Sequence, residues 1–346
     1  MTKPPQRMSR KPVPPATITL KHVAERAGVS PITVSRVINT PEAVSETLRQ
    51  KVEEAIQALG YVPNRVAGAL ASAKSRVVPI IVPSLSNIVF LEVIQGAQDV
   101  LDAAGYQLLL GDTQYDLDRE QALAATLLGW SPAGIIIAGL RHTERTRAML
   151  STWGRPVVEV MEHGTRPIDM NVGLSHYKAG DSMGEHLVAR GYRNIGFIGG
   201  RLKADYRATQ RFKGLERCLT RHGLQKRPPF GHDEKSSPRL GGDALMRALD
   251  ADPALDAIFF ANDDLAVGAI LRAQREGIAV PQRIAIAGFN GFGIGTLVQP
   301  ALTTIVSPRQ EIGRIAATKL LDRVQGRQGG PASVDVGFSL RVGEST

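Results

Sequence analysis

The sequence predicts a small all-α headpiece carrying a helix-turn-helix, followed by an α/β core of two parallel-sheet lobes. Three observations support this fold class. Apolar residues recur at helical spacing between residues 17 and 62, whereas after residue 76 short runs of Ile, Val and Leu alternate with amphipathic helices. At 346 residues and 43% hydrophobic, the chain is long enough for two or three domains with sizeable cores.

The first two helices are predicted around a tight turn. Thr19 is placed to cap a helix over residues 20–27, and Gly28 supplies the left-handed backbone that a sharp turn needs. Ser30 then caps a second helix with Pro31 at its first position, where a missing N–H costs nothing. This helix turns Val34, Val37 and Ile38 inward and leaves four residues outward: Ile32, Thr33, Ser35 and Arg36. The pattern predicts a helix-turn-helix that fits a DNA major groove, although an ordinary helical hairpin gives the same pattern.

The rest of the N-terminal part divides into three segments. Residues 1–16 are basic and proline-rich, which predicts a disordered arm. Ser45 is placed to cap a third helix that ends at Gly60 and completes a headpiece of residues 17–62. Residues 63–75 contain RVAGALAS, which has little to bury and a glycine in its middle, so a hinge helix or linker that orders only against a partner is predicted.

Charge is concentrated in the same part of the chain. Residues 1–75 hold 11 Lys/Arg against 5 Asp/Glu, net +6, whereas the remaining 271 residues are net +3. A basic end of this kind indicates a polyanionic partner. The single cysteine, Cys218, excludes an intramolecular disulfide. With no secretory signal and no apolar run of membrane-spanning length, we expect a soluble, cytoplasmic and nucleoid-associated protein.

Residues 76–346 are predicted to form the two lobes of the core. A cleft between such lobes, at the carboxyl ends of the strands, is where α/β folds of this kind bind ligands. Pro79 is tolerable only near the start of its strand. Strands are predicted at 77–82, 107–110, 134–138, 157–160, 195–198, 257–261 and 284–289, and helices near 88–103, 118–128, 143–152, 176–190, 208–222, 241–250, 264–276 and 308–325.

Four strings carry a resemblance to a known family over nearly the whole chain. They are VAERAGVSPITVSRVIN, YVPNRVAGALAS, ANDDLAVGA, and the R-x-x-G of Arg211 to Gly214. The chain resembles the lactose-repressor (LacI) family of bacterial transcription regulators. Within that family it is most similar to the gluconate-utilisation repressors, on the strings YVPNRVAGALASAKSR, VPSLSNIVFLEVIQGAQ, PVVEVME and DVGF.

The resemblance implies a homodimer that binds and bends a pseudo-palindromic operator. Ile32 can offer only an apolar contact, for example to a thymine methyl, which leaves Thr33 and Arg36 as polar readers of base edges. Leu70 matches the family's wedge that unstacks a central base step, although a small packing residue in a linker is the alternative. The DNA-contacting positions implied are Thr19, Ser30, Pro31, Ile32, Thr33, Ser35, Arg36, Asn39, Ser45, Tyr61, Asn64, Arg65, Ala67 and Leu70.

The resemblance also implies a periplasmic-binding-protein-like core that holds a small effector. Asn290 stands where sugar-binding members carry an acid, and an amide there suits an anionic sugar acid better than a neutral sugar. Arg141 and Arg211 are candidates for a bidentate clamp on its carboxylate, and Glu159 or Glu162 for accepting hydroxyl hydrogen bonds. For Asp263, beside Asn262, capping of the next helix and contact with a ligand both stay open. The effector candidates are Ser84, Asn87, Phe90, Arg141, Glu159, Arg211, Asn262 and Asn290.

The function predicted is a repressor of sugar-acid utilisation genes, released from DNA by an effector such as gluconate or 2-ketogluconate. The opposite effect, in which the small molecule is a corepressor and strengthens DNA binding, stays open. The alternatives are a cytoplasmic sugar-acid kinase or dehydrogenase using the same cleft, and a simple binding protein. No H-E-x-x-H, G-x-S-x-G or phosphate-loop motif is present, and one cysteine excludes a cysteine-based zinc site, so we expect no catalytic residues, metal or cofactor. The tail carries no leucine heptad for joining dimers into tetramers.

Overall fold

A computed structural model describes residues 18–62, 75–327 and 330–346 of the chain. It separates into two compact units, divided between Ser75 and Arg76. The predicted arm, 1–16, and nearly all of the predicted hinge, 63–75, lie outside the described residues. Within the described part, no helix combines the length and the hydropathy of a membrane span.

The headpiece consists of three helices around one small core. The predicted interhelical turn at Gly28 uses left-handed backbone, with φ of +64°, and the third helix ends as predicted at Gly60, with φ of +61°. Ser45 lies at the start of the third helix, but its side chain makes no capping hydrogen bond within residues 18–62, contrary to the expectation. The elements are α1 (Leu20–Ala27), α2 (Pro31–Asn39), a 3-10 turn (Pro41–Ala43) and α3 (Glu46–Leu59), and the core is Val23, Ala24, Ala27, Val34, Val37, Val52 and Ala55.

The first lobe of the core is a six-stranded parallel sheet with helices on its faces. Its strands are β1 (Val77–Val82), β2 (Gln107–Asp112), β3 (Ile135–Ala138), β4 (Val157–Glu162), β5 (Met170–Leu174) and β11 (Ser333–Asp335), in the order β11-β5-β4-β3-β1-β2. Its helices are α4 (Ile88–Ala103), α5 (Leu117–Leu128), α6 (Glu144–Thr152) and α11 (Arg309–Val324). Pro79 is tolerated because the pairing of β1 with β3 starts one residue later, at Ile80.

The second lobe repeats this architecture with one antiparallel edge, where β12 pairs with β10. Its strands are β6 (Ile195–Gly200), β7 (Phe230–His232), β8 (Ala257–Phe260), β9 (Ala285–Asn290), β10 (Thr303–Val306) and β12 (Ser339–Arg341), in the order β12-β10-β9-β8-β6-β7. Its helices are α7 (His176–Ala189), α8 (Tyr206–Arg221), α9 (Pro238–Ala251) and α10 (Asp263–Arg275), with a 3-10 turn at Gly293–Thr296.

Three connections join the two lobes in the described core: β5 to α7, β10 to α11, and β11 to β12. Helix α11 packs on α4 and on strands β3, β4 and β5 of the first sheet, although it follows a strand of the second. Because the carboxyl ends of parallel strands lie at one edge of each sheet, the loops after them meet between the lobes.

Every predicted strand and helix of the core is present, within a few residues of its predicted ends. Five strands were missed. Strand β5 was missed because a polar and a small residue interrupt its apolar run. Asn171 is fully buried, and a side chain on Gly173 would lie 2.4 Å from the Glu162 backbone. Strand β10 begins with buried Thr303 and Thr304, and β7, β11 and β12 are three residues each, too short to show a period.

Candidate functional site

The outward face of α2 carries the predicted DNA contacts. Ile32 is 72% exposed and Arg36 is exposed, whereas Val34 and Val37 are buried on the opposite face. The backbone N–H of Thr33 donates to Ser30 Oγ at 3.2 Å, and the two hydroxyl oxygens are 2.9 Å apart. The Thr33 hydroxyl therefore has a partner within the cap, and Ile32 and Arg36 are the more accessible side chains.

The other predicted DNA contacts have different surroundings. Tyr61 is half-buried against the headpiece core and Ser35 is half-buried, while Thr19, Ser30, Pro31 and Ser45 are exposed at helix starts. Asn39 ends α2. The remaining four lie outside the described residues: Asn64, Arg65, Ala67 and Leu70.

A cavity of about 210 Å³ lies in the cleft between the lobes of the core. The loops after β1, β2 and β3, the end of β4, and the segment after β6 that leads into α8 form its walls. Tyr115 enters this wall from a loop with φ of +63°, a conformation that non-glycine residues adopt rarely. The polar and aromatic lining residues include Tyr115, Glu120, Arg141 and Glu162 from the first lobe and Lys203, Tyr206 and Arg207 from the second.

An ion pair crosses the cleft at this cavity. Arg207 Nη1 of the second lobe lies 3.4 Å from Glu162 Oε1 of the first, and both side chains are largely buried. Burial raises the pKa of Glu162, against the effect of Arg207. Although burial opposes its charge, Asp205 and Glu162 raise the pKa of Arg207 above its usual value. Arg207 is therefore a charged group held in place at the cleft.

Two aromatic rings support the arginines of this wall. The Arg207 guanidinium carbon lies 5.5 Å from the centroid of the Phe90 ring, and that of Arg141 lies 5.0 Å from the centroid of Tyr206. These distances fit cation–π contacts. The second pair joins the two lobes, because Arg141 follows β3 and Tyr206 begins α8.

Arg211 lies one helical turn beyond Arg207 and is more deeply buried. Its Nη1 donates to His176 Nδ1 at 2.9 Å, its Nη2 donates to the Ala261 carbonyl at 2.9 Å, and its guanidinium stacks 4.2 Å from the Phe289 ring centroid. Burial lowers the pKa of Arg211 to about 10. Burial and Arg211 hold the pKa of His176 well below its usual range, so the neutral ring accepts at Nδ1 and donates from Nε2 to the Met161 carbonyl, 3.2 Å away.

Of the predicted effector contacts, Arg141 lines the cavity, whereas the three that follow β1, Ser84, Asn87 and Phe90, are not among its lining residues. Asn87 Nδ2 donates to the hydroxyl of the cavity residue Tyr115 at 3.2 Å, and its Oδ1 caps α4. Phe90 supports Arg207, as described above. The hydroxyl oxygen of Ser84 lies 2.9 Å from that of Ser86.

Asn262, and not Asp263, caps α10. Asn262 Oδ1 caps α10 by accepting from the Leu265 N–H, and Asp263 is buried instead. The Asp263 carboxylate accepts from Thr304 Oγ1 at 2.6 Å and from the Phe292 N–H at 2.7 Å. Asn290 is buried at the end of β9 with φ of +121°, and its carbonyl accepts from Arg309.

Glu159 does not line the cavity, in contrast to the prediction. Glu162 is the last residue of β4 and lines the cavity, whereas Glu159 lies within the strand, before the left-handed backbone of Met161 at φ of +81°. Glu159 is fully buried, and its carboxylate contacts His142 Nε2 at 3.2 Å and the Ile168 N–H at 2.5 Å. His142 Nδ1 lies 2.7 Å from Glu120, so a histidine bridges two carboxylates behind the cavity wall.

This bridge predicts a pH-dependent stability. Although burial opposes its charge, Glu120 and Glu159 raise the pKa of His142 to about 9 from an unfolded value of 6.5. The protonated bridge stabilises the fold fully below pH 6.5, and the contribution is lost as pH rises toward 9. We expect His142→Gln to lower the free energy of unfolding of the core by on the order of 3 kcal/mol at pH 6 and by much less at pH 9.5. Urea unfolding at several pH values measures this, and a deficit independent of pH would contradict it.

Comparisons with known proteins agree with both parts of the chain. Residues 19–64 match the family described as bacterial regulatory proteins, lacI family, and residues 185–346 match a periplasmic binding protein-like domain. The HTH-type transcriptional regulator GntR of Escherichia coli K12 is 40% identical over 327 residues, which cover 94% of this chain and 98% of that protein.

Solved structures extend this similarity to the fold. A LacI-family transcriptional regulator from Silicibacter pomeroyi has a TM-score of 0.89 at 38% identity, covering 95% of this chain and 99% of that one. The lac repressor dimer bound to operator and the anti-inducer ONPF has a TM-score of 0.80 at 26% identity, covering 95% and 98%.

Of the seven polar and aromatic lining residues named above, sequence reasoning missed five: Tyr115, Glu120, Lys203, Tyr206 and Arg207. Arg207 had a readable signal, because it precedes Arg211 by four residues and so shares its helix face. Tyr115 had none, since its position depends on a loop of irregular backbone.

Proposed function

The chain belongs to the LacI family of bacterial DNA-binding transcriptional regulators, and on that premise we propose that it represses sugar-acid utilisation genes and is released from operator DNA by a small sugar acid. The observation that carries the proposal is the arginine-lined cavity between the lobes, together with the helix-turn-helix of the headpiece. The proposed effector is gluconate or 2-ketogluconate.

The charges around the cavity support an anionic ligand. Arg141, Lys203 and Arg207 bring three cationic groups to its walls. The two carboxylates there already have cationic partners: Glu120 is bonded to His142, and Glu162 to Arg207. An incoming carboxylate would therefore meet Arg141 and Lys203, for which the described residues show no ion pair, and would compete with Asp205 and Glu162 for Arg207.

The remaining lining groups suit a polyhydroxylated chain. The Tyr115 hydroxyl and the second oxygen of Glu162 can bond ligand hydroxyls, and the Tyr206 ring offers an apolar face. Because Arg141 and Glu162 come from one lobe and Lys203 and Arg207 from the other, a ligand that contacts all four would favour one arrangement of the lobes. Operator affinity and effector affinity would then be reciprocal, as linkage requires.

A homodimer on operator DNA is part of this proposal. Nine large apolar residues are exposed on the described part of the core, with Leu297 at 80%, and exposed apolar residues of this size are typical of protein interfaces when they adjoin. The lac repressor, to which the chain is similar, forms a dimer on its operator. Two pairs of the nine exposed residues are close in the sequence and are the candidates for this interface: Ile88 with Leu91, and Ile294 with Leu297. An intracellular, nucleoid-associated location follows from the proposed function.

Titration calorimetry with gluconate, 2-ketogluconate and glucose tests the effector class. We expect one of the sugar acids to bind at least about tenfold more tightly than glucose, because the carboxylate gains a charge-assisted bond to Arg207 or Arg141 worth more than 1.4 kcal/mol. Glucose binding as tightly as the acids would contradict an anion site. The enzyme alternative is not favoured, since the relatives are transcriptional regulators; turnover of a sugar acid with ATP or a nicotinamide would revive it.

A further inference from the structure

A cluster of metal-binding residue types lies between α7 and α8, away from the residues that line the cavity. Glu185 comes from α7, Cys218 from the last turn of α8, and His222 from the residue directly after that helix, its C-cap. Their ligand atoms all lie within 4.8 Å of one another. Cys218 Sγ is 3.2 Å from Glu185 Oε1, and His222 Nε2 is 2.8 Å from the same oxygen.

Glycines explain why the two helices come this close. A Cβ on Gly180 would lie 1.9 Å from the Arg211 carbonyl oxygen, and one on Gly214 would lie 2.0 Å from that of Tyr177. A Cβ on Gly184 would meet Cys218 Sγ at 2.9 Å, so the thiol occupies space that only a glycine leaves. This close packing fixes the position of the Cys218 thiol before any ion binds.

We propose that Glu185, Cys218 and His222 form a binding site for a divalent transition-metal ion, with Zn²⁺ as the best match. A thiolate, an imidazole and a carboxylate are the ligands that Zn²⁺ takes in proteins, whereas Mg²⁺ and Ca²⁺ prefer oxygen alone. Cys218 and His222 are four residues apart on one helix face, a spacing that brings two ligands to one ion. Cys218 is fully buried, and Glu185 and His222 are partly exposed, which gives the ion a path from solvent.

In the structure, the cation paired with the Glu185 carboxylate is the Arg221 guanidinium. Its Nη2 lies 2.5 Å from Glu185 Oε1 and 3.0 Å from Asp181 Oδ1. A metal ion at Glu185 must compete with this guanidinium, and Arg221 is 43% exposed and able to move into solvent. Removing Arg221 should therefore increase the affinity for the metal ion. If the cluster were only an ion-pair network that stabilises the fold, removing Arg221 would not increase that affinity.

This proposal departs from the expectation, drawn from the sequence motifs, that the chain holds no metal. That expectation relied on motifs whose ligands stand close together in the sequence, and here Glu185 precedes Cys218 by 33 residues. A bound ion would cross-link α7, which begins at His176, to α8, which carries Arg207 and Arg211. The inference does not depend on the identity of the effector.

Cobalt titration of the full chain, after chelator treatment and dialysis, tests the proposal directly. Cys218 is the sole cysteine of the 346 residues, so a thiolate-to-Co²⁺ charge-transfer band in the near ultraviolet can come from no other residue. We expect such a band to develop to one equivalent of Co²⁺ and to disappear when Zn²⁺ is added. An excess of Mg²⁺ should leave it unchanged.

Substitutions distinguish metal binding at this cluster from metal binding elsewhere on the protein. Cys218→Ser should abolish the band, and His222→Gln, at a partly exposed position, should weaken Co²⁺ affinity roughly 100-fold without unfolding the protein. Arg221→Gln should tighten it roughly 10-fold. His163→Gln, a histidine outside the cluster, is the matched control and should behave as the parent. Absence of the band in the parent, or unchanged affinity in both His222→Gln and Arg221→Gln, would overturn the proposal.

Discussion

Replacing Arg207 by glutamine is expected to weaken sugar-acid binding about 100-fold while leaving operator binding without effector intact. Arg207 is charged, largely buried and held at the cavity by Glu162 and the Phe90 ring. A carboxylate ligand gains a charge-assisted bond there that glutamine cannot supply. Calorimetry with gluconate or 2-ketogluconate gives the affinity, and anisotropy of a labelled operator duplex gives the DNA binding.

Two controls make this result specific. Arg217→Gln removes the same charge from an exposed position on the same helix and should leave effector affinity unchanged. Binding of a neutral sugar, if measurable, should change much less than binding of the acid in Arg207→Gln, because the lost contact is ionic. Equal losses for acid and neutral ligand would mean that Arg207 only shapes the cavity.

Replacing Arg36 by alanine is expected to lower operator affinity about 30-fold and affinity for random duplex only slightly. Arg36 lies on the exposed face of α2, whose opposite face is buried in the headpiece core, so its loss should not unfold the helix. An arginine that reads a base edge loses sequence-specific affinity, whereas one that contacts a phosphate loses affinity for all sequences alike. Titrations of both duplexes at one fixed salt concentration distinguish these cases.

Arg49→Ala is the matched control for Arg36. Arg49 belongs to α3 and is paired with Glu46 at 2.6 Å, so its removal should change neither affinity substantially. If Arg36→Ala lowered the affinity for operator and for random DNA equally, Arg36 would contact a phosphate and no base. Ile32 and Thr33 would then be the candidates for contacting base edges.

The sequence predicted the fold well because its signals were local. Helix 88–103 was predicted with its observed ends, since Asn87 caps it and its apolar period is unbroken. Strand β5 was missed because Asn171 and Gly173 are explained only by neighbours: Asn171 Nδ2 donates to the Glu159 and Glu162 carbonyls of the adjacent strand. The crossing of α11 to the first lobe also depends on tertiary packing.

The site was less predictable, because a side chain's surroundings decide its role. Arg211 was placed correctly on the helix beside the cleft, but its hydrogen bonds go to His176 and Ala261 and the cavity wall is formed by Arg207. Glu159 was chosen where Glu162 lines the cavity, a distinction that strand alternation does not give, because the backbone is irregular at Met161 between them. The bridge from His142 to Glu120 and Glu159 joins three elements and leaves no pattern in the sequence.

The most direct test of effector-controlled repression is one binding titration. Duplexes that the purified full chain selects from a random-sequence pool would be titrated at moderate salt, with and without the sugar acid that calorimetry identifies. The proposal predicts that the selected site is pseudo-palindromic and that the sugar acid lowers affinity for it at least about tenfold. No palindrome among the selected duplexes, or an affinity that a bound sugar acid leaves unchanged or increases, would contradict release of operator DNA by the effector.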